Sequence, residues 1–324
     1  WEEIESFAGY SFAKGHSASY AVESYQSLFL KAHYPLEFMV GVINNFGGFY
    51  RTEFYFHEAR MNGAAIEAPC INHSHYLTTI EGKTIYIGFV HLKSLESKIG
   101  NRIEEERKKN GPYLSLDHFM RRLPGIGLEQ IRILIRVGGF RFTQKSKQQL
   151  LWEAMLFSSN HRARPTTTAH LFDTEPAHFP LPQLSRNRQE DAFDELELLG
   201  FPLCHPFDLL ATRDYGNSCA QDLNKHRAKS IRIVGYLITT KDTRTKTGHP
   251  MAFGTFYDVQ GQAFDTVHFP EVSLRYPFRG RGFYEIHGKV TEDFGVYMIE
   301  VTRMTKLPMI SKRAEVTFQE SNPA

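Results

Sequence analysis

The chain has 324 residues, 41% of them hydrophobic and 23% charged, a globular composition with room for two or three domains. With 38 Lys and Arg against 36 Asp and Glu, its net charge of +2 argues neither for nor against nucleic acid, so local charge must decide. Three scattered cysteines without a C-x-x-C pair argue against a disulfide scaffold or cysteine zinc site, and no apolar run nears the ~20 residues of a bilayer span; a reduced, cytoplasmic protein is predicted.

Trp1 stands where an initiator Met is usual, and residues 1–6 read as the middle of an element, so a piece of a longer polypeptide is predicted. Residues 7–26, F-A-G-Y-S-F-A-K-G-H-S-A-S-Y-A-V-E-S-Y-Q, place Lys14 and His16 at the mouth of a helix. From Ser17, a plausible N-cap, the apolar positions Ala18, Ala21, Val22, Tyr25, Leu28, Phe29 and Ala32 follow spacings of three and four, which predicts one buried helical face. The helix should end before Pro35, which suits the first turn of a second helix over about 35–45. A third covers about 51–61 and stops at Asn62-Gly63.

Residues 68–89 read as loop and short strands, with a hairpin turn at Glu81-Gly82. The G-K-T at 82–84 is a turn and no phosphate loop, because Leu77 stands where that motif needs glycine. Cys70, His73 and His75 lack a second half at metal-ligand spacing and read as a polar loop after Pro69.

Residues 91–160 are helical in short pieces. Within them L-P-G-I-G-L-E-Q-I-R-I-L-I-R-V-G-G-F (123–140) places Gly125 and Gly127 in a hairpin that opens a short apolar helix carrying Ile131, Leu134 and Ile135. The stretch resembles a helix–hairpin–helix, whose backbone N–H groups meet a phosphate, with Arg121 and Arg122 close to the turn. A tight αα-corner using glycines for packing alone fits the same residues equally well.

Residues 158–187, rich in Pro, Thr and Ser, read as an extended linker, followed by an acidic helix over about 187–199 that ends at Gly200. From about 228 the period changes to two. Five short alternating runs within about eighty residues, separated by glycine turns, predict a small closed barrel of OB type. Residues 225–289 hold eleven Lys or Arg against five Asp or Glu, and Lys241, Arg244 and Lys246 crowd the first hairpin. Phe253, Phe256, Tyr257 and Phe269 could stack bases, although alternation sends about half of such rings into the barrel.

The run F-A-G-Y-S-F-A-K-G-H-S-A-S-Y-A-V-E-S-Y-Q-S-L-F-L-K-A-H-Y-P-L-E-F-M (7–39) resembles the fingers signature of the bacterial replicative DNA polymerases of family C, the alpha subunits of DNA polymerase III. The order of the later parts is similar too: the hairpin region, then L-G-F-P-L-C-H-P (199–206), then T-K-T-G-H-P-M-A-F (245–253) in the barrel. The resemblance covers about 1–306 and implies all-α fingers and a helix–hairpin–helix region followed by an all-β OB-fold barrel. It divides the chain into fingers (1–80), hairpin region (81–157), linker with acidic helix (158–224), OB domain (225–306) and tail (307–324).

The resemblance further implies a nucleotidyltransferase of DNA replication whose incoming deoxynucleoside triphosphate meets Tyr10, Lys14, His16, Ser17 and Tyr20. Tyr25, Gln26 and Lys31 read as packing and surface positions. Primer–template and single-stranded DNA would meet Arg121, Arg122, Gly125, Gly127, Lys241, Arg244, Lys246 and Phe256. In T-T-A-H-L-F-D (167–173), Leu171 and Phe172 match the apolar end of a sliding-clamp peptide, with Thr168 where glutamine is usual.

Three departures accompany the resemblance. The family holds Mg2+ on palm aspartates in a D-x-D pair; this chain has no D-x-D, so it should bind no metal and not polymerise alone, and the ligands are expected before Trp1. The place of the family's first glycine hairpin reads F-V-H-L-K-S-L-E-S-K-I-G (89–100), without those glycines. Nothing after the barrel matches the family's clamp-loader-binding domain. A stand-alone nucleic-acid binder and a damage-tolerant paralogue of the alpha subunit are the competing readings.

Overall fold

The computed structural model describes residues 14–162, 188–293 and 295–310. Helix α1 (Lys14–His33) is followed by α2 (Pro35–Asn44), with Pro35 in its first turn, and α3 (Thr52–Met61). Ser17 is therefore not the N-cap: α1 already runs through it, and it sits in the first turn. The predicted buried face of α1 is also corrected. Val22, Tyr25, Leu28 and Phe29 are all exposed, Tyr25 by 71%. Their spacing suffices to shape the helix, but among the described residues little packs on that face; α1 is tied near its C-terminal end, where Lys31 lies 3.6 Å from Glu58.

Three short strands, β1 (Ala65–Glu67), β2 (Thr79–Glu81) and β3 (Thr84–Tyr86), form a sheet in the order β1-β3-β2. β2 and β3 are the hairpin expected at Gly82; β1 pairs in parallel with β3 and has too few residues to show a period. His75 donates its Nδ1–H to the Glu104 carboxylate at 2.9 Å, and His73 stacks on Tyr86, so both have protein partners. Burial acts to raise the Glu104 pKa, but hydrogen bonds from Lys108, His75 and the Tyr76 amide outweigh it and hold the carboxyl at about 2.

Helices α4 (Ser97–Asn110), α5 (Leu116–Arg122), α6 (Leu128–Arg136) and α7 (Lys147–Arg162) then enclose one core with α2, α3 and the sheet; Phe56, Phe89, Phe119, Phe140, Ile85 and Leu134 lie at its centre. α7 extends to Arg162, past the linker start expected at 158. The acidic helix α8 (Arg188–Leu198) lies against α6 and α7: Asp194 and Glu197 pair with Arg136, and Asp191 and Asp194 with Lys147. The motif at 199–206 then bridges two cores. Leu199 and Phe201 belong to the helical core, while Phe207 and Leu210 pack on the outside of the barrel.

The barrel consists of β4 (Ser230–Arg244), β5 (Pro250–Tyr257), β6 (Ala263–His268), β7 (Phe283–Asp293) and β8 (Val296–Leu307), with the short helix α9 (Pro270–Arg275) between β6 and β7. Its closed order is β4-β5-β6-β8-β7, with β6 and β8 parallel and β7 returning to β4. A five-stranded closed barrel with that order and a helix after the third strand is the OB-fold. Its interior holds Ile231, Ile233, Phe264, Tyr284, Ile286 and Ile299.

Candidate nucleic-acid interface

The second hairpin is built as the sequence suggests. Ser115 caps α5 by accepting the His118 N–H at 3.0 Å, and the chain turns at Leu123 into α6. Gly125 has φ +82°, a conformation costly for any residue with a Cβ, and Gly127 is the extended N-cap of α6. Both glycines are exposed. Among the described residues no intramolecular acceptor takes the Gly125 or Gly127 N–H, and α6 starts without a side-chain cap. Its first amides thus face outward at the positive end of a helix, a ready site for an anion.

Two arginines expected beside this hairpin divide. Arg121 is exposed and, among the described residues, pairs only with Asp117, one turn away. Arg122 is corrected: its side chain is 11% exposed, bonded to the Glu106 carboxylate and to the carbonyls of Glu106, Gly111 and Pro112, and laid over the Tyr113 ring at 4.4 Å. It ties α5 to the end of α4 with four of its five N–H donors already used. Arg102 takes its place: exposed on α4, it reaches the Pro124 carbonyl at 3.1 Å, at the hairpin's lip. Sequence reasoning missed it because it is 22 residues away in the chain.

The first hairpin repeats this backbone. Ser94, at φ +65°, and the N-cap Glu96 stand where Gly125 and Gly127 stand in the second. The Glu96 amide, the counterpart of the Gly127 amide, is consumed, however, while the Ser94 N–H, like that of Gly125, has no acceptor among the described residues. Lys93 donates to the Leu198 carbonyl, Leu95 to Leu92, and Glu96 to Gln130 Oε1 at 2.9 Å; the Gln130 amide in turn donates to the Ser94 carbonyl. An exposed carboxylate at the helix mouth further disfavours phosphate.

On the barrel, β4 and β5 run on past the closed part as a two-stranded arm, Arg244 opposite Pro250, closed by a turn over Thr245–His249. Lys241, Arg244 and Lys246 are exposed there, and none has a carboxylate partner among the described residues. Four of the other eight basic residues of 225–289 are paired, Arg232 with Asp214 and Glu285, Lys225 with Asp222, Arg227 with Glu292 and Arg281 with Glu53, while Lys229, Arg275, Arg279 and Lys289 are exposed without a carboxylate partner among the described residues. The arm thus carries three of the seven exposed cations of 225–289 that no carboxylate matches among the described residues.

The aromatic residues also divide. Phe256 is corrected: it is fully buried, stacked on Phe264 inside the barrel, and cannot meet a base. Tyr257 faces outward but is covered by the helical core, stacked on Phe54 at 5.5 Å and against His57. Phe253 and Phe269 are exposed, and Phe253 is opposite Lys241 on the arm.

Of the nucleotide residues, His16 and Tyr20 are exposed near the start of α1 and Ser17 is half-buried. Tyr10 and the Lys14 side chain lie outside the described residues, as do Leu171 and Phe172. Among the described residues no cluster of three or more His, Cys, Asp or Glu is arranged to hold a metal. No described helix is long and apolar enough to cross a membrane.

The helical part and the barrel are joined by a polar seam. Glu53, in the first turn of α3, pairs with Arg281 at 2.5 Å and accepts from the Tyr236 hydroxyl at 3.1 Å; Arg281 also donates to Tyr236 and to the Gly200 carbonyl. Burial acts against the Arg281 charge, but Glu53 and Tyr236 outweigh it and raise its pKa. β4 bulges between Leu237 and Thr239, and Arg51 donates to the Leu237 and Ile238 carbonyls at the bulge, 3.2 and 2.9 Å away. His57 Nε2 lies 2.9 Å from the Gly261 carbonyl, and burial lowers its pKa.

Several known proteins are similar to this chain. A helix-hairpin-helix motif family matches residues 63–150. The DNA polymerase III subunit alpha of Treponema pallidum is 33% identical over 83% of this chain and 24% of its own length. The error-prone DNA polymerase of Bdellovibrio bacteriovorus is 29% identical over 95% of this chain and 31% of its own. The DNA polymerase III subunit alpha of Aquifex aeolicus is 30% identical over 84% and 23%. A solved structure, the second OB-fold domain of replication protein A from Methanococcus maripaludis, aligns with 28% of this chain and 91% of its own at 16% identity and a TM-score of 0.19. The chain spans about a quarter of the length of these polymerase relatives. Over the segment they share, it belongs to the family of the bacterial DNA polymerase III alpha subunits.

Proposed function

We propose that this chain is the fingers-to-barrel portion of a DNA-directed DNA polymerase and serves replication by holding DNA and the incoming nucleotide. The second hairpin holds the backbone of the primer–template duplex, the basic arm holds single-stranded DNA, and the start of α1, with Tyr10, Lys14, His16, Ser17 and Tyr20, meets the triphosphate. The observation that carries the proposal is the pair of exposed, unpaired N–H groups of Gly125 and Gly127, flanked by Arg102 and Arg121. An exposed loop that leaves amides open at a helix start is suited to a phosphate and gains nothing for folding. Phosphate contacts of this kind position a duplex without reading its sequence, as a polymerase requires.

The chemistry of phosphoryl transfer needs metal ligands that this chain does not supply, so the chain alone should extend no primer. With the metal-bearing portion present, it positions the substrates. Leu171 and Phe172 are proposed to dock in a sliding clamp; a Leu171→Ala, Phe172→Ala pair with unchanged clamp affinity would remove that part. The match to the error-prone polymerase, which extends over 95% of the chain, favours a damage-tolerant paralogue as a second reading.

The test is fluorescence anisotropy of the full chain with a labelled primer–template and with a single strand at about 50 and about 200 mM salt. Each should bind with an affinity that falls steeply with salt, and substitution of Lys241, Arg244 and Lys246 by Ala should flatten the single-strand dependence by about two units of slope. No measurable binding of either DNA at low salt would overturn the proposal.

A further inference from the structure

A cleft of about 600 Å³ opens between the loop that precedes α3 and the barrel. Phe49 and Tyr50 form one wall, Thr239 and Thr240 of β4 the floor, and Ser273 and Phe278 the far side. It is an aromatic and hydroxyl-lined space whose inner edge is Arg51 and Arg281 of the seam, both already bonded within the fold.

The loop is built to hold Phe49 out. Gly48 has φ +89°, and a Cβ there would come within 1.7 Å of the Tyr55 hydroxyl, so only glycine lets the ring of Tyr55 lie beneath the loop. Phe46, a residue with a side chain, is also held at positive φ (+50°), and the Asn45 amide and the Gly47 N–H bind back to Gly41 and Val42. Tyr50 stacks on Phe54 at 4.5 Å, and Phe54 on Tyr257 of the barrel, a three-ring column that braces the loop against β5. From this braced base Phe49 projects with its whole side chain exposed (101%). A ring held in water by a strained, tightly packed loop contributes nothing to the fold, and such strain is a reason to look for a ligand.

The surroundings select the ligand. Thr240 and Asp242 face the cleft, and strand alternation carries the same face of β4 on to Arg244, so the cleft leads directly onto the basic arm. Phosphates suit the arm. Inside the cleft the guanidinium groups of Arg51 and Arg281 are engaged with β4 carbonyls and Glu53, Asp242 repels phosphate but accepts hydrogen bonds, and the threonine and serine hydroxyls both donate and accept. A flat aromatic group with polar edges, attached to a phosphate chain, satisfies both parts.

Resting on the single-strand reading of the arm, we propose that this cleft receives an unstacked base of a single strand, with Phe49 as the platform on which it stacks. The base site then belongs to neither domain alone: the helical part supplies the ring and the barrel supplies the polar floor.

The experiment uses the full chain, an oligodeoxycytidylate of about a dozen residues, and an abasic strand of the same length, read by anisotropy. Phe49→Ala is expected to weaken binding of the oligodeoxycytidylate at least about fivefold, to change the abasic strand less than about twofold, and to be rescued by Phe49→Trp. Because Phe49 touches no core, the melting temperature should not move. Equal affinities of Phe49→Ala and the parent for oligodeoxycytidylate overturn the inference; if substitution of the three arm cations still abolishes binding, the single-strand reading survives without it. Equal weakening on both strands also overturns it, since no base is then involved. Failure of the parent chain to bind either strand removes both.

Discussion

Truncating Glu53 to Ala should loosen the barrel from the helical part. In the parent chain Glu53 and Arg281 are 2.5 Å apart with side chains 15% and 27% exposed, so the pair is largely desolvated. Removing one member of a buried pair leaves the other charge uncompensated, a cost of about 3–5 kcal/mol. Arg281 keeps the Gly200 carbonyl and the Tyr236 hydroxyl, and it is partly wet, so about 2–3 kcal/mol is the fitting figure here. That corresponds to a roughly 30- to 150-fold rise in the open population, confined to the seam. Hydrogen exchange resolved by peptide is the assay: residues 234–240 and 49–56 should exchange faster in Glu53→Ala, while the α5–α6 region stays protected. Arg227→Ala supplies the comparison, because that side chain is 69% exposed in its pair with Glu292 and should cost less than about 1 kcal/mol. If Glu53→Ala changes exchange no more than Arg227→Ala, the seam does not hold the two parts together as argued.

Gly127→Glu should weaken duplex binding at least about tenfold, as it puts a carboxylate at the open helix mouth, whereas Glu96→Gly should leave it nearly unchanged because Gln130 still takes that amide; anisotropy with a blunt duplex checks both. Gly48→Ala should lower the melting temperature by several degrees, since Tyr55 must move and an alanine at φ +89° is strained by about 1–2 kcal/mol. Urea unfolding should show stability flat above neutrality and falling from about pH 6.5 toward pH 4. Burial depresses the pKa values of His57, His91, His205 and His268, the second and fourth to about 4, so in that window the unfolded chain binds protons that the folded chain refuses. His268→Gln should flatten the dependence.

Much of this architecture was legible because it rests on local signals. Periods of three to four set α1 to α3, glycine and proline bounded them, and the switch to period two gave all five barrel strands to within a few residues. What periodicity leaves open is the partner of each face. The apolar stripe of α1 reads as core, yet it is exposed, because a stripe states that a face is apolar and not what covers it. Arg122 and Arg121 are adjacent and chemically alike, but only a fold that brings Glu106 and the Gly111 carbonyl beside one of them separates a structural clasp from a surface charge. Phe256 and Phe253 differ only in strand parity, which fixes the alternation but not which parity faces inward.

The two hairpins carry the same lesson to function. Their backbones follow the same course, Ser94 and Gly125 both left-handed, Glu96 and Gly127 both N-caps, so the geometry of a phosphate site exists twice. The difference is occupancy by the protein itself. In the first, Leu198 takes the Lys93 amide and Gln130 takes that of the N-cap Glu96, and the hairpin becomes a joint that holds α6 and the end of α8 against α4, with only the Ser94 N–H of the corresponding pair left open among the described residues. In the second, nothing intramolecular takes the amides of the two glycines among the described residues. A backbone N–H requires one acceptor, so a motif already satisfied inside the fold has no hydrogen bond left for DNA however well its sequence or shape matches. The same accounting sorts the basic residues of the barrel region, where Arg232 and Arg281 are matched by carboxylates and Lys241, Arg244 and Lys246 are not. In both cases the unmet groups, rather than the motif or the charge total, locate the surface with binding capacity to offer.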